Sequence, residues 1–291
     1  MSVVTVGDFD GVHLGHQSLL REVTRFAAEK DLPAVVVTFD RNCKSFLHGA
    51  DPVYLTDIKE KKELLLSEGV NSVCLVHFDE AFSHLSELEF LAYLREHCAC
   101  THLFGGSDFR FGKNGQGSLT DGVVLDGICQ HTVTLKTDVM KISSSSIRCA
   151  LQDGLIEEAN AWLGYPYFIS GTVVEGKHLG RTIGFPTANL EAPKGKILPK
   201  NGVYVTQTEI DSKIYPSVTN VGCRPTVEDG NLRNVETHLM QVDGDFYGKK
   251  ITVRFLHRLR NEMRFTDLGE LMQQLRTDRE TAFLWHKNHR S

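Results

Sequence analysis

Apolar positions in the first half of the chain follow two spacings in turn. Val3 to Val6 is a short apolar run, after which Leu19, Leu20, Val23, Phe26 and Ala27 recur at helical spacing. Ala34 to Phe39 is β-branched with no polar alternation, as in a strand buried on both faces. Lys59 to Glu68 reads as helix and Ser72 to Phe78 as another buried strand. Ser86 followed by Glu89 is a capping box, opening a helix through Leu88, Leu91 and Leu94. His102 to Phe104 and Thr132 to Leu135 read as further strands. Strands alternating with helices predict an α/β domain with a doubly wound parallel sheet. Two short helices follow: Ser144 or Ser145 can cap the first, which stops at Gly154, and the second runs from Leu155 to Leu163 and stops at Gly164. Tyr165-Pro166 breaks the pattern and sets the expected division into residues 1–165 and 166–291.

The second half changes period. Phe168 to Val174, Gly202 to Glu209, Ser217 to Val221, Glu236 to Gln241 and Ile251 to Leu259 are strand-like runs separated by turn residues. Ile251, Val253 and Phe255 alternate with Thr252 and Arg254, one face in and one out. Regular short strands predict a small antiparallel β-barrel. One amphipathic helix ends the chain, with Leu268, Leu271, Met272, Leu275, Ala282 and Phe283 on its apolar stripe.

Composition narrows the class of function. The 291 residues are enough for two domains of ordinary size. A net charge of −5, with no long Lys/Arg run, argues against nucleic acid as partner. No apolar run is long enough for a membrane span, and no signal peptide is read, so the expected compartment is the cytoplasm. The seven cysteines are odd in number and dispersed, without paired metal-ligand spacing, as expected of reduced thiols. The thirteen histidines are mostly isolated. Oligomeric state is not legible.

Two segments carry candidate chemistry. Residues 176 to 190 place Gly176, Gly180 and Gly184 around Lys177 and Arg181, and Pro186 stiffens the approach to Thr187 and Asn189. A hydroxyl and an amide oxygen are hard, neutral donors of the kind that share Mg²⁺ with nucleotide phosphates. The spacing fits neither a Walker loop nor a dinucleotide fingerprint, and a glycine-rich hairpin is the competing reading. Near the N-terminus, a strand ending at Gly7 leads through Phe9, Asp10 and Gly11 to His13 and His16 at a helix start, where backbone N–H groups favour an anion. Helix-start histidines with satisfied rings, or a metal pair, are the alternatives.

The run Gly180-Arg181-x-x-Gly184-Phe-Pro-Thr187-Ala-Asn189 resembles the signature of riboflavin kinases, and Gly7 to His16 resembles a nucleotidyltransferase motif. In this order, from about Val4 to Phe283, they resemble the bifunctional bacterial riboflavin kinase/FAD synthetase family. The resemblance implies a Rossmann-like nucleotidyltransferase domain over 1–165, adenylylating FMN to FAD with release of pyrophosphate, and a kinase barrel over 166–291, phosphorylating riboflavin with ATP. His13 and His16 would be catalytic in the first domain. Its ATP site would use Gly7, Phe9, Asp10, Gly11, both histidines, Ser144, Ser145 and Arg148 of a serine-rich helix start, and Asp108 of the Gly105 to Gly112 loop. An ordinary serine cap and a plain glycine-rich loop compete for those last two segments. In the second domain the resemblance implies Gly180, Arg181, Gly184, Asn220, Arg260 and Phe265 against ATP and flavin, and Thr187 with Asn189 on Mg²⁺. Glu236 would take the proton from the ribityl 5′-hydroxyl; a solvated glutamate at a strand start is its bland alternative.

The chain departs from the family where Thr38-Phe39-Asp40 is followed by Arg41-Asn42-Cys43 in place of Pro-His-Pro. That loop lies near the ATP phosphates in relatives. Its change supports one alternative: a riboflavin kinase whose N-terminal domain binds nucleotide with weak or no adenylyltransferase activity. A flavin-responsive regulator, or an enzyme adenylylating some other phosphate ester, fits less of the motif set.

Overall fold

A computed structural model of the chain describes residues 1–49, 53–134, 142–175, 183–224, 232–242, 244 and 246–289. Gly180 and Arg181 lie outside the described residues. The contacts divide the chain into two compact units, Met1–Ser144 and Ser145–Ser291.

The first unit is built from β1 (Ser2–Val6), α1 (Leu14–Glu29), β2 (Ala34–Phe39), α2 (Cys43–His48), α3 (Ile58–Ser67), β3 (Ser72–Val76), α4 (Glu80–Ser83), α5 (Glu87–Cys98) and β4 (Cys100–Gly106), then the short β5 (Arg110–Phe111), β6 (Gly117–Ser118) and β7 (Val124–Leu125), and β8 (Ile128–Val133). The main sheet runs β3-β2-β1-β4-β8-β7, parallel throughout except for the edge strand β7. Alternation along the strands sends side chains to both faces. Val4, Val35 and Val37 pack with Phe90, Leu91 and Leu94 of α5 on one face. Val3 and Val36 pack with Leu20 and Val23 of α1 and Leu65 of α3 on the other. Helices therefore cover both faces, which is why the strands read as unbroken apolar runs. The Ser86/Glu89 capping box forms with both reciprocal hydrogen bonds, and Asp57 with Glu60 builds a second one at the start of α3.

The second unit begins with α6 (Ser144–Asp153, its first residue shared with the first unit) and α7 (Ile156–Leu163). Both stop where the sequence placed their glycines, with Gly164 in the left-handed conformation at φ 79°. A closed antiparallel barrel follows, formed by β9 (Phe168–Val174), β10 (Ala188–Glu191), β11 (Gly202–Ile210), β12 (Lys213–Arg224), β13 (Leu232–Leu239) and β14 (Lys250–Arg260), in the order β10-β13-β12-β11-β14-β9. The contact division precedes the boundary read at 165/166, because α6 and α7 pack on the barrel. Asn160 of α7 donates from Nδ2 to the Phe255 carbonyl at 2.8 Å and accepts the Tyr167 N–H at 2.7 Å, and Lys200 N–H bonds the Leu151 carbonyl at 2.8 Å.

The barrel interior is partly polar. Thr206, Thr208, Ser217, Thr219 and Thr237 are fully buried and satisfy one another, with Thr206 2.8 Å from Ser217 and 2.7 Å from Thr219, and Thr219 2.9 Å from Thr237. Outside it, α8 (Leu268–Asn288) lays Ala282 against Val205 and Met240. The buried seam of α8 differs from the expected apolar stripe: it is Asp278, Ala282 and His286, while Leu268 and Phe283 are exposed. Polar anchoring explains the difference. Asp278 pairs with Arg260, and the His286 ring lies 3.1 Å from the Thr206 carbonyl.

Candidate functional site

In the first unit, β1 ends at Gly7 and the chain turns sharply. Phe9 (φ 48°), Gly11 (φ 80°) and Val12 (φ 35°) all take positive φ. For β-branched Val12 this is a strained conformation, held by burial of Phe9 and Val12 in the core of the α1 face. The strain delivers His13 to the N-cap of α1, where its Nδ1 accepts the His16 N–H at 3.4 Å. That bond leaves the His13 proton on Nε2. The His16 ring stacks on His13, with centroids 3.7 Å apart and planes 19° apart, and packs edge-on against Phe9. Among the described residues, the buried His16 Nδ1 has no hydrogen-bond partner. Burial pushes the pKa of His13 down to about 4 and that of His16 well below its ordinary value, helped by its neighbour His13 and by Lys61. Both rings are neutral at pH 7, which is what permits them to stack.

Asp10 has a structural post in this loop. Its buried carboxylate accepts the N–H groups of Leu55 at 2.8 Å and Thr56 at 3.1 Å, and the Gly11 N–H bonds Thr56 Oγ1 at 3.0 Å. Ser144 Oγ donates to the Asp10 carbonyl at 2.8 Å. Asp108 is exposed in the turn after β4. Ser145 and Arg148 lie on α6 in the second unit, where Arg148 donates to Ser145 Oγ at 3.2 Å.

In the second unit, one row of residues crosses five of the six barrel strands. Asn189 on β10 is the register partner of Glu236 on β13, Glu236 of Asn220 on β12, Asn220 of Val203 on β11, and Val203 of Arg260 on β14. The sequence reading starts this strand at Glu236, which instead stands in the fifth position of β13, because the pairing with β12 reaches back to Leu232. Its neighbours Val235 and Thr237 are fully buried, so Glu236 faces the outer side of the barrel wall. Thr187, Asn220, Glu236, Arg260 and Phe265 line one cavity of about 250 Å³ there, closed by Phe185, Met263, Leu271 and Leu275. A second, wider cavity of about 710 Å³ contains Gly184, Pro186 and Met240 and shares His238 and Arg279 with the first. Asn189 is buried on β10, a short strand that the glycine-rich spacing does not mark.

Two contacts in this site escape sequence reasoning. Asn234 Nδ2 donates to Glu236 Oε1 at 2.5 Å and to Asn189 Oδ1 at 3.2 Å, joining the two residues that the resemblance picked out. Its position two residues before Glu236, on the same strand face, was the available signal. Arg260 holds Asp278 with both Nε and a terminal nitrogen, at 2.9 and 2.7 Å, and Gln274 donates to the same carboxylate at 2.9 Å. Its guanidinium braces α8 against the cavity wall.

Both halves have counterparts among known proteins. A family model for FAD synthetase matches residues 1–146, and one for riboflavin kinase matches residues 163–285. The chain belongs to the bifunctional riboflavin kinase/FMN adenylyltransferase family. It is 36% identical to the Bacillus subtilis member, covering 99% of this chain and 93% of the relative. Identity to the Escherichia coli K12 member is 38%, over 96% of this chain and 91% of that protein. A crystal structure described as a macrolide-efflux protein from Streptococcus pneumoniae superposes with a TM-score of 0.87 at 32% identity, covering 97% of this chain and 93% of that one. Among the described residues of this chain, no helix is long and apolar enough to cross a membrane.

The Arg41-Asn42-Cys43 loop has its own bonding. Asn42 accepts the Ser45 N–H at 2.8 Å, capping α2, and donates from Nδ2 to Asp8 Oδ2 at 2.8 Å. The Cys43 thiol also faces the Asp8 carboxylate. Lys61, buried, donates to the carbonyls of Asp8 at 2.9 Å and Phe39 at 3.0 Å. Burial raises the pKa of Asp8 and lowers that of Lys61, each partly opposed by the charge of the other. Asp8, Asp10, Asn42, Tyr54 and Lys61 line a cavity of about 440 Å³.

Proposed function

We propose that this chain makes FAD from riboflavin in two steps, one in each unit. The barrel unit transfers the γ-phosphoryl group of ATP to riboflavin, giving FMN and ADP. The sheet unit transfers AMP from a second ATP to FMN, giving FAD and pyrophosphate. Family matches over both halves support the pair of activities and disfavour a kinase-only reading. The observation that carries the first step is the convergence of Thr187, Asn220, Glu236 and Phe265 on one cavity.

In the kinase reaction Glu236 accepts the proton of the ribityl 5′-hydroxyl, and that oxygen attacks the γ-phosphorus as ADP leaves. The smaller cavity, with Phe185, Met263 and Phe265, suits the flavin ring; the wider one, with Gly184 and Arg279, suits the nucleotide. The glycine-rich run that includes Gly180 and Arg181 belongs to the nucleotide side of this reading. Asn220 fixes the flavin chain beside Glu236, and Arg260 shapes the wall through Asp278 rather than by direct phosphate contact. Thr187 and Asn189 fit a hard cation by donor chemistry: a hydroxyl and an amide oxygen, the latter buried and oriented by Asn234. Mg²⁺ held there supplies neutralisation of phosphate charge when bound.

In the adenylyl reaction a phosphate oxygen of FMN attacks the α-phosphorus of ATP. His13 and His16, neutral and rigidly stacked, offer N–H groups to the charge that gathers on the α-phosphate. Gly7 makes room for the Phe9 ring, whose nearest atom stands 3.1 Å from where a Cβ would be, Gly11 takes the positive φ of the turn, and Asp10 keeps the loop in shape. Ser144 and Asp108 belong to the ATP site in this reading, while Ser145 and Arg148, which the resemblance also implies, lie in the second unit. Six free cysteines among the described residues suit a reducing, cytoplasmic setting.

Separation of flavins after incubation with riboflavin, ATP and Mg²⁺ tests the whole scheme. FAD from the unaltered chain, FMN alone from His13→Ala/His16→Ala, and neither product from Glu236→Gln are expected. FMN that never proceeds to FAD in the unaltered chain overturns the second step.

A further inference from the structure

His102 and His131 lie on neighbouring parallel strands, β4 and β8, and Cys129 on β8 is the register partner of His102. Residues 129 and 131 share a strand face. The three side chains therefore gather on one patch, and none of them is a residue assigned to either reaction. His102 Nδ1 is 3.0 Å from His131 Nε2, and the ligand atoms of all three residues fall within 4.8 Å of one another. All three are half-buried, within reach of a solvated ion.

We infer that His102, Cys129 and His131 form a binding site for one Zn²⁺ ion on the β4–β8 strand pair. Two imidazoles and a thiol are borderline-to-soft donors, which favour Zn²⁺ over the hard Mg²⁺ of the kinase reaction. Donor atoms around tetrahedral zinc at about 2.0–2.1 Å from nitrogen stand a little over 3 Å apart, close to the spacing of the two histidine nitrogens. The rings are also held in place. Phe26 packs against both, with centroids 4.9 Å from each, and Phe104 stacks on His131 at 4.4 Å. Burial lowers the pKa of both histidines, so at neutral pH they present lone pairs without first losing a proton. The N–H that links them without metal moves to the outer nitrogen of its ring, and the Cys129 thiol releases one proton to solvent as the Zn–S bond forms. Three protein ligands leave a fourth position for water.

The place of the site gives it a consequence. Four residues after His102, β4 ends at Gly106 and enters the loop that carries Asp108. An ion joining β4 to β8 stiffens the root of that loop.

The test uses the full chain after chelator treatment, titrated with Co²⁺ in excess Mg²⁺, with Zn²⁺ as competitor. One equivalent of Co²⁺ giving a thiolate-to-metal charge-transfer band, displaced by one equivalent of Zn²⁺, is expected. Cys129→Ser removes the band, and His131→Gln weakens binding by at least about 100-fold, the upper end for loss of an outer-shell partner. Cys98→Ser, outside the cluster, keeps both. Absence of the band, or its survival in Cys129→Ser, overturns the inference. X-ray absorption at the zinc edge of the unmutated chain is independent of any variant's folding: one sulfur and two imidazole nitrogens support the site, and an all-oxygen shell refutes it.

Discussion

Asn189 and Glu236 face each other across neighbouring barrel strands, and the Asn234 amide donates to both. A single NH₂ group thus fixes the distance between the oxygen expected to meet the metal and the carboxylate expected to take the proton. Neither side chain can turn without releasing Asn234.

The consequence is measurable in Asn234→Ala. Losing a hydrogen bond to a charged group costs about 1.5–3 kcal/mol, and spent in the transition state this lowers the kinase kcat by about 10–100-fold. KM for riboflavin changes little, since Asn234 does not line either cavity. FAD formation from supplied FMN stays at the parent rate. Asn234→Asp goes further: a second carboxylate beside Glu236 disfavours its ionised form and moves the acid limb of the kcat–pH profile upward. An unmoved limb would show that Glu236 is not the base.

Arg260 and Asp278 make a second testable pair. Asp278 is buried and the Arg260 side chain is 19% exposed, so Asp278→Ala strands a mostly desolvated guanidinium. About 3 kcal/mol of stability is lost, at the lower end for breaking a buried pair. Replacing both, as Arg260→Met with Asp278→Leu, restores most of it. Both tryptophans, Trp162 and Trp285, belong to the second unit, so tryptophan fluorescence in urea reads that unit alone.

How much of this was legible in the sequence depends on the range of each signal. The two folds follow from a change in hydrophobic period, and helix ends such as Gly154 and Gly164 and the Ser86/Glu89 box are written within a few residues. Cross-strand relationships are not. Asn234 reads as one more polar residue until β10 is laid beside β13. Thr206, Thr208 and Thr237 look like exposed strand positions until the barrel closes on them and they bond to one another. Arg260 reads as a free cation because Asp278 is eighteen residues away on another element. His102, Cys129 and His131 show no ligand spacing because their proximity comes from strand register.

The buried histidines make the first unit sensitive to acid. His13 titrates near 6.5 when unfolded and near 4 when folded, so between those values the unfolded chain binds more protons. Stability is complete above about 6.5 and is lost as pH falls toward 4, by about 3 kcal/mol from His13 alone. Urea unfolding followed by far-UV ellipticity, with the tryptophan signal marking the second unit, resolves this. His13→Gln flattens the dependence; a slope that persists in the variant assigns it to other groups.

The last prediction concerns the Arg41-Asn42-Cys43 loop. Asn42 does two things at once: Oδ1 caps α2 through Ser45, and Nδ2 holds the Asp8 carboxylate beside the nucleotidyltransferase motif. Two substitutions separate these tasks. Asn42→Ala removes both, lowering stability by about 1 kcal/mol through the cap and FAD formation by about 10-fold through Asp8. Asn42→Asp keeps an acceptor for Ser45 but sets one carboxylate against another, already desolvated and with its pKa raised by burial. If the bond to Asp8 orders the motif, Asn42→Asp is the slower enzyme from FMN to FAD although it is the better-capped protein. Riboflavin phosphorylation is unchanged in both, because the kinase residues sit in the other unit. A parent-like rate of FAD formation in Asn42→Asp would mean that Asn42 serves the helix alone and that Asp8 is held by Lys61 and the turn without it.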